Sequence, residues 1–250
     1  MDVATTISGD LTATALADAL ERFRARRPHV HCITNAVAQE FTANVLLAAG
    51  ATPSMTIAME EVASFTAFSD ALLINLGTLD VTRRDAASTA VRVARGEGKP
   101  WALDPVFVHA SKPRLQLAHS FLEREPTLVR ANAKERAALF SGEAKQIGTV
   151  VAVSGETDRI IYRDRTVEIR NGSPMLRYVT AAGCALTAVA IGFIAANDDR
   201  MVATAAAFAT FGLAAERAEA ASNGPGTFAA ALLDALAAID PDALREGAKL

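Results

Sequence analysis

The strongest constraint in this 250-residue chain is a repeated change of period, in which short apolar runs alternate with longer segments of helical spacing. The runs His29–Thr34, Ala71–Leu76, Trp101–Leu103, Thr127–Val129, Thr149–Val153, Arg159–Tyr162 and Thr166–Ile169 are β-branched or aliphatic and read as strands. The segments Thr12–Arg26, Gln39–Ala49, Thr82–Arg95, Pro113–Arg124, Lys134–Phe140, Ala185–Ala196, Val202–Ala221 and Thr227–Ala238 read as helices. Through Val150 the two kinds alternate, which argues for parallel βαβ units. The near-continuous apolar run Ala71–Leu76 suits a strand covered on both faces. A three-layer α/β/α sandwich with a mostly parallel central sheet is the expected fold. The section Val150–Val167 differs: two short strands separated by Asp164 and Arg165 resemble a hairpin, expected to add antiparallel strands at a sheet edge. Beyond Thr180 the chain reads as mostly helical. No repeat, low-complexity block or Pro/Gly/Ser linker divides it, so one domain over 1–250 is expected.

Composition narrows the function classes. Apolar residues make up 51% of the chain, which excludes a disordered protein; only 6% are aromatic, so the core is built from Ala, Val, Leu and Ile in closely packed layers. With 25 Lys+Arg against 28 Asp+Glu and no long basic run, a nucleic-acid partner is not expected. Cys32 and Cys184 are too few for a disulfide framework and wrongly spaced for a four-ligand zinc site, and read as thiols in a reducing compartment. The stretch Met1–Thr6 has no basic leader, and Ala185–Ala196 falls short of the roughly 20 apolar residues that span a bilayer. No membrane partner and a cytoplasmic location are expected.

In an open α/β sheet, ligands sit at the carboxyl ends of the strands, so the polar residues that follow each run draw attention. Thr34 and Asn35 follow the first; they read either as donors to a small polar ligand or, for Asn35, as a cap of the next helix. In Leu103-Asp104-Pro105-Val106 the carboxylate is either a turn residue or a magnesium ligand. Asn132 with Glu135 three residues later fits a capping-box-like pattern, which would explain both. Thr180-Ala181-Ala182-Gly183-Cys184-Ala185-Leu186-Thr187 is a small-residue turn leading into an apolar helix, where backbone N–H groups and the macrodipole favour an anion. The same field would lower the pKa of Cys184 and make it a proton acceptor; the alternative is a buried structural cysteine. Neither a Walker A lysine motif nor G-x-G-x-x-G is present.

Taken together these pieces resemble the hydroxyethylthiazole kinases of thiamine salvage, within the ribokinase-like superfamily. The likeness runs from His29 to Ala196 through His31-Cys32-Ile33-Thr34-Asn35, Phe41-Thr42-Ala43-Asn44, Pro53-Ser54-Met55, Asn75-Leu76-Gly77-Thr78-Leu79, Asp104-Pro105-Val106, Arg130–Glu135, Val153–Glu156 and Val179–Cys184. The resemblance implies a ribokinase-like fold and magnesium-dependent transfer of the γ-phosphoryl group of ATP to the primary hydroxyl of 4-methyl-5-(2-hydroxyethyl)thiazole. By position it implies that Asp104 and Glu135 hold Mg2+ directly or through water, and that Arg130, Ser154 and Thr180 contact ATP. Gly183 and Cys184 would form the catalytic anion hole, and Asn35, Val37, Met55 and Ala181 the thiazole pocket. It further implies a homotrimer with sites between subunits.

Several positions depart from the family pattern. Gly-Thr-Gly-Cys reads Ala181-Ala182-Gly183-Cys184, the glycine before the family's Asn is Ala131, the glycine-rich segment after Asp-Pro-Val reads Phe107-Val108-His109-Ala110, and an Asn is replaced by Cys32. An added methyl group narrows a pocket and restricts the backbone. Two other readings therefore stand beside the thiazole kinase. One is a ribokinase-like kinase or ATP-dependent NAD(P)H-hydrate dehydratase with another substrate; the other is a non-catalytic ligand sensor on the same fold.

Overall fold

A computed structural model of the protein describes residues 11–140 and 148–250, so the reading of Met1–Thr6 lies outside the described residues. In chain order the elements are α1 (Ala13–Arg26), β1 (His29–Ile33), α2 (Gln39–Ala49), β2 (Thr52–Ser54), α3 (Val62–Phe68), β3 (Ala71–Asn75), α4 (Val81–Gly96), β4 (Trp101–Asp104), α5 (Lys112–Leu122), β5 (Leu128–Asn132), α6 (Ala133–Leu139), β6 (Val150–Ser154), β7 (Asp158–Tyr162), β8 (Arg165–Ile169), α7 (Ala182–Ala196), α8 (Arg200–Ala220), α9 (Pro225–Ala238) and α10 (Pro241–Gly247). The strands form one sheet in the order β2-β1-β3-β4-β5-β6-β7-β8. Pairs from β2 through β6 are parallel, whereas β6–β7 and β7–β8 are antiparallel. This is the expected sandwich, with the hairpin at its edge.

The central strands β1, β3, β4 and β5 divide their side chains between two cores, as the two-residue pleat requires, whereas β6–β8 contribute to the first alone. Val30, Cys32, Ala71, Leu73, Ala102, Leu128, Val150 and Ala152 pack toward α1, α2, α7, α8 and α9. Ile33, Leu72, Ile74, Trp101, Leu103 and Val129 pack toward α3, α4, α5 and α6. Helix starts are fixed locally: the side chains of Thr12, Asp80, Ser111, Asp199 and Asp240 each accept a first-turn backbone N–H. Three elements were not anticipated. β2 is three residues long with Pro53 at its centre, too short to register a period; α3 and α10 are seven residues each, barely two turns. α7 begins at Ala182, three residues before the apolar segment read as its start, so Gly183 and Cys184 belong to its first turn.

Small side chains set the spacing on the α7 side. α8 packs against α1, α7 and α9 through a run of buried alanines, Ala203 and Ala205–Ala207 among them. At Gly212 a Cβ would come within 2.5 Å of the backbone oxygen of Asn171, which cannot retreat because its side chain is tied to Glu216 and to the carbonyl of Gly247. Among the described residues, no helix is long and apolar enough to cross a membrane. Gly212→Ala is expected to destabilise the fold by about 2–3 kcal/mol through overpacking, read as a fall in the denaturation midpoint at unchanged m-value.

Candidate active site

The pleat that builds the α7-side core also builds the site. Residues two positions beyond a core side chain share its face, so Leu73 leads to Asn75, Ala102 to Asp104, Leu128 to Arg130 and Ala152 to Ser154. Parallel register aligns these ends: Asn75 pairs with Asp104 across β3–β4, and Arg130 pairs with Ala152 across β5–β6. Four polar side chains thus line up at the carboxyl edge, facing the first turn of α7.

That turn fits only because of its small residues. A Cβ on Gly183 would lie 2.6 Å from Arg130 Nη1, so the guanidinium occupies the space that the glycine leaves open. Arg130 Nη2 donates to Ser154 Oγ at 2.6 Å. Thr187, one turn on, sits with its hydroxyl 3.0 Å from both Asp104 Oδ2 and the carbonyl of Gly183. From β1, Asn35 Nδ2 donates to Asn75 Oδ1 at 3.0 Å and reaches Cys184 Sγ at 3.6 Å. Asn75 Oδ1 also accepts from the N–H of Gly77 at 2.9 Å, and a Cβ on Gly77 would strike Asn35.

Glu135 closes the ring from the α3–α6 side. The capping box is realised: Glu135 Oε2 accepts from the N–H of Asn132 at 2.9 Å while Asn132 Oδ1 accepts from the N–H of Glu135 at 3.0 Å. The second oxygen of Glu135 accepts from the N–H of Phe107 at 3.0 Å, which pins the loop after β4 to α6. Phe107 is 60% exposed and holds φ at 58°, a left-handed backbone that a bulky residue seldom adopts.

Electrostatics follow burial. Asp104 is fully buried, which pushes its carboxyl up to about 6; Arg130 opposes the rise and Glu135 adds to it. Asp158, which accepts from the N–H of Gly155 near Arg130, is raised to about 6 by the same desolvation. Burial also pushes the Cys184 thiol up to about 12, with Asp104 reinforcing the rise and Arg130 opposing it. The lowering expected from the helix field is therefore overturned: loss of water and a neighbouring carboxylate outweigh it, and Cys184 is a neutral thiol at pH 7.

Asn35, Asp104, Arg130, Glu135, Ser154, Gly183 and Cys184 are thus gathered at one edge. Val37, Met55 and Thr180 take no part in its hydrogen bonds: Val37 is 71% exposed, Met55 leans on the core after β2, and Thr180 is exposed. Ala181 is the residue that precedes α7, at φ 72° and ψ 2°. Asn75, Thr187 and Asp158 are site neighbours to which the motif reading assigned no role, although Asn75 and Thr187 stand within quoted motifs. Both are polar breaks within apolar runs, and for Asn75 the signals were its place near the end of the run Ala71–Leu76 and the motif that begins with it.

Several buried polar atoms of this edge have no partner among the described residues: Thr34 Oγ1, Asn35 Oδ1, Asn75 Nδ2, Asp104 Oδ1 and Arg130 Nε. Such atoms normally find partners, so a row of them marks a ligand surface.

A parallel sheet with this edge and an apolar helix opening on a glycine places the chain in the ribokinase-like class. A solved ribokinase-like superfamily protein from Enterococcus faecalis V583 has the same fold, with a TM-score of 0.65, 13% identity, and coverage of 93% of this chain and 90% of that one. The hydroxyethylthiazole kinase family matches residues 20–145 and 137–242, and the chain belongs to that family. A probable hydroxyethylthiazole kinase of Agrobacterium fabrum is 41% identical over 98% of both chains. The solved hydroxyethylthiazole kinase protein of Pyrococcus horikoshii OT3 superposes with a TM-score of 0.89 at 38% identity, covering 94% of this chain and 97% of that one.

The left-handed conformation at 181 costs alanine more than glycine. Ala181→Gly is expected to stabilise the protein by about 0.5–1 kcal/mol, the relief of strain exceeding the extra unfolded-state entropy, as read by thermal and denaturant melts.

Proposed function

We propose that the protein transfers the γ-phosphoryl group of ATP to the primary hydroxyl of 4-methyl-5-(2-hydroxyethyl)thiazole. Family membership supports the reaction. The observation that carries the site is the row of unpartnered buried polar atoms along the carboxyl edge, opposite the N-terminal turn of α7. Phosphoryl transfer is mainly positioning and charge neutralisation, and the residues here supply both. Arg130, Ser154 and Thr180 contact ATP, with Arg130 held by Ser154 and by the gap at Gly183. The backbone of Gly183 and Cys184 receives the anionic oxygens. Asn35, Val37, Met55 and Ala181 line the thiazole pocket.

Asp104 and Glu135 fit a magnesium ion differently. Among the described residues Asp104 Oδ1 has no hydrogen-bond partner, which suits direct ligation, whereas both oxygens of Glu135 already accept backbone N–H groups, which suits a water-mediated role. Among the described residues no three His, Cys, Asp or Glu are gathered around one point, so water would complete the shell of an ion held by these two carboxylates. When bound, the ion supplies positive charge to the phosphate oxygens. A sensor would have no use for an unpartnered buried carboxylate, whose desolvation is unfavourable.

Residues 1–250 act in this reading as one cytoplasmic kinase domain assembling as a homotrimer, with each site completed by a neighbour. The exposure of Val37, Leu47, Met59, Phe65 and Phe68 on and around α2 and α3 supports that assembly.

A coupled ATP-consumption assay tests the reaction: magnesium-dependent turnover of the thiazole alcohol is expected, and Asp104→Ala is expected to abolish it while the protein stays folded. Absence of turnover with any primary alcohol would sink the kinase reading. Gly183→Ala drives a methyl group into the guanidinium of Arg130, and kcat/KM for ATP is expected to fall about 100-fold, as misplacement of a binding group by about 1 Å does.

A further inference from the structure

Two buried amides at the tips of β1 and β3 leave a matched pair of unmet hydrogen-bonding atoms. Their orientation follows from a group that has only one role. The backbone N–H of Gly77 can only donate, so the atom of Asn75 that it meets at 2.9 Å is the carbonyl oxygen, and the amide nitrogen of Asn75 points the other way. The same oxygen lies 3.0 Å from the Asn35 side chain, which must therefore present its nitrogen, leaving Asn35 Oδ1 turned away in its turn. The leftover atoms are one acceptor, Asn35 Oδ1, and one donor, Asn75 Nδ2. Neither has a partner within hydrogen-bond distance among the described residues, the Asn75 side chain faces Asp104 and Cys184 closely enough to oppose the rise in both their pKa values, and the two amides are 4% and 2% exposed.

The pair stands where the reacting groups converge. Asn35 Nδ2 lies 3.6 Å from Cys184 Sγ in the first turn of α7, and Asn75 is in register with Asp104 on the neighbouring strand. The close approach of the two amides is built in, because a side chain at Gly77 would collide with Asn35.

We propose that Asn35 Oδ1 and Asn75 Nδ2 form a two-point clamp for the substrate's hydroxyl group, with Asn75 a substrate-binding residue. The hydroxyl donates its hydrogen to Asn35 Oδ1 and accepts from Asn75 Nδ2, and its second lone pair stays free toward the phosphorus. The clamp rests on the alcohol-kinase reading and adds a selection rule. An ammonium has no lone pair for Asn75 and a carboxylate has no hydrogen for Asn35, so only a group that both donates and accepts satisfies the two atoms. A polar site left unmatched discriminates strongly against the analogue that lacks the group.

Calorimetric binding of 4-methyl-5-(2-hydroxyethyl)thiazole and of 4-methyl-5-ethylthiazole, which lacks only the hydroxyl, tests the clamp. The wild-type protein is expected to prefer the alcohol at least about tenfold. Asn75→Asp keeps the oxygen that serves Gly77 and Asn35 and, compared with wild type at about pH 9 so that its carboxyl beside Asp104 is ionised, removes the free donor. The preference is expected to fall below about threefold in that variant, with binding of the ethyl compound changed less than about twofold. A wild-type protein that binds the two compounds equally overturns the clamp without any variant, and so does a folded Asn75→Asp protein that keeps the full preference. Failure of the clamp reading alone would appear as magnesium-dependent turnover of the alcohol by the wild-type protein without the binding preference. Failure of the kinase reading would appear instead as no turnover and no binding of either compound, and would overturn both.

Discussion

A carboxylate with no exposed surface sits in the middle of the carboxyl edge, and the arrangement of β3, β4, β5 and α7 around Asp104 answers to it. Removing that group from water is costly, and its raised pKa records the cost. One hydroxyl, from Thr187, bonds one of its oxygens; Arg130 provides the nearby positive charge; the other oxygen is unmatched. Thr187 belongs to the second turn of α7, so the helix that presents the anion-binding turn is also the helix that steadies the carboxylate. A shift of α7 would loosen both at once.

α7 reaches this position because the layers beneath it are built from small residues. Gly192 brings α7 close enough to α1 and β1 that a Cβ would meet Phe23 and Val30 at 3.1 and 3.2 Å, and Phe193 stacks on Phe23 with ring centroids 4.1 Å apart. Farther along, Gly183 yields its side-chain volume to Arg130. The low aromatic content is thus a condition for the site as well as for the core: bulkier layers would hold the helix start away from the strand ends. Of the residues that depart from the family pattern, Cys32, Val108, Ala131 and Ala182 are buried, whereas Phe107 is exposed. Ala181 and Phe107 both adopt left-handed backbones that glycine tolerates better, so the chain keeps the path of the turns while adding side chains beside the ligand surface.

Much of this was legible in the sequence because the sheet is regular. A period of two, read beyond the ends of Trp101–Leu103 and Thr127–Val129, puts Asp104 on the face of Ala102 and Arg130 on the face of Leu128, and the alternation of strands with helices points to a parallel sheet, though not to the order of its strands. What was not legible depends on tertiary proximity. β2 and α3 are too short for their periods to stand out, and Asn75 and Thr187 look like minor polar breaks in apolar runs until β3 and α7 meet. The capping pattern of Asn132 and Glu135 was correct, yet it hid the second bond by which Glu135 holds the loop at Phe107. The sign of the Cys184 shift was missed for the same reason. A helix start is visible in a sequence, whereas the depth at which it is buried and the carboxylate beside it are not.

A neutral thiol at Cys184 changes what the site is asked to do. If the group is protonated at pH 7, the substrate hydroxyl cannot depend on it as a ready base, and catalysis must come from elsewhere. In phosphoryl transfer that demand is modest, because bond formation to the incoming oxygen lags behind departure of the leaving group and the developing charge lies largely on the transferring oxygens. Backbone N–H groups at the start of α7 and the fixed guanidinium of Arg130 address that charge directly. The thiol is then best understood by what it lacks: it is small, uncharged and weakly hydrogen-bonding. A carboxylate in its place would stand beside the buried Asp104, and two such charges in one desolvated pocket would each disfavour the other's ionisation. Cys184 lets the helix start come close to Asp104 without that repulsion, leaving Asp104, at the end of β4, as the buried carboxyl that faces this turn.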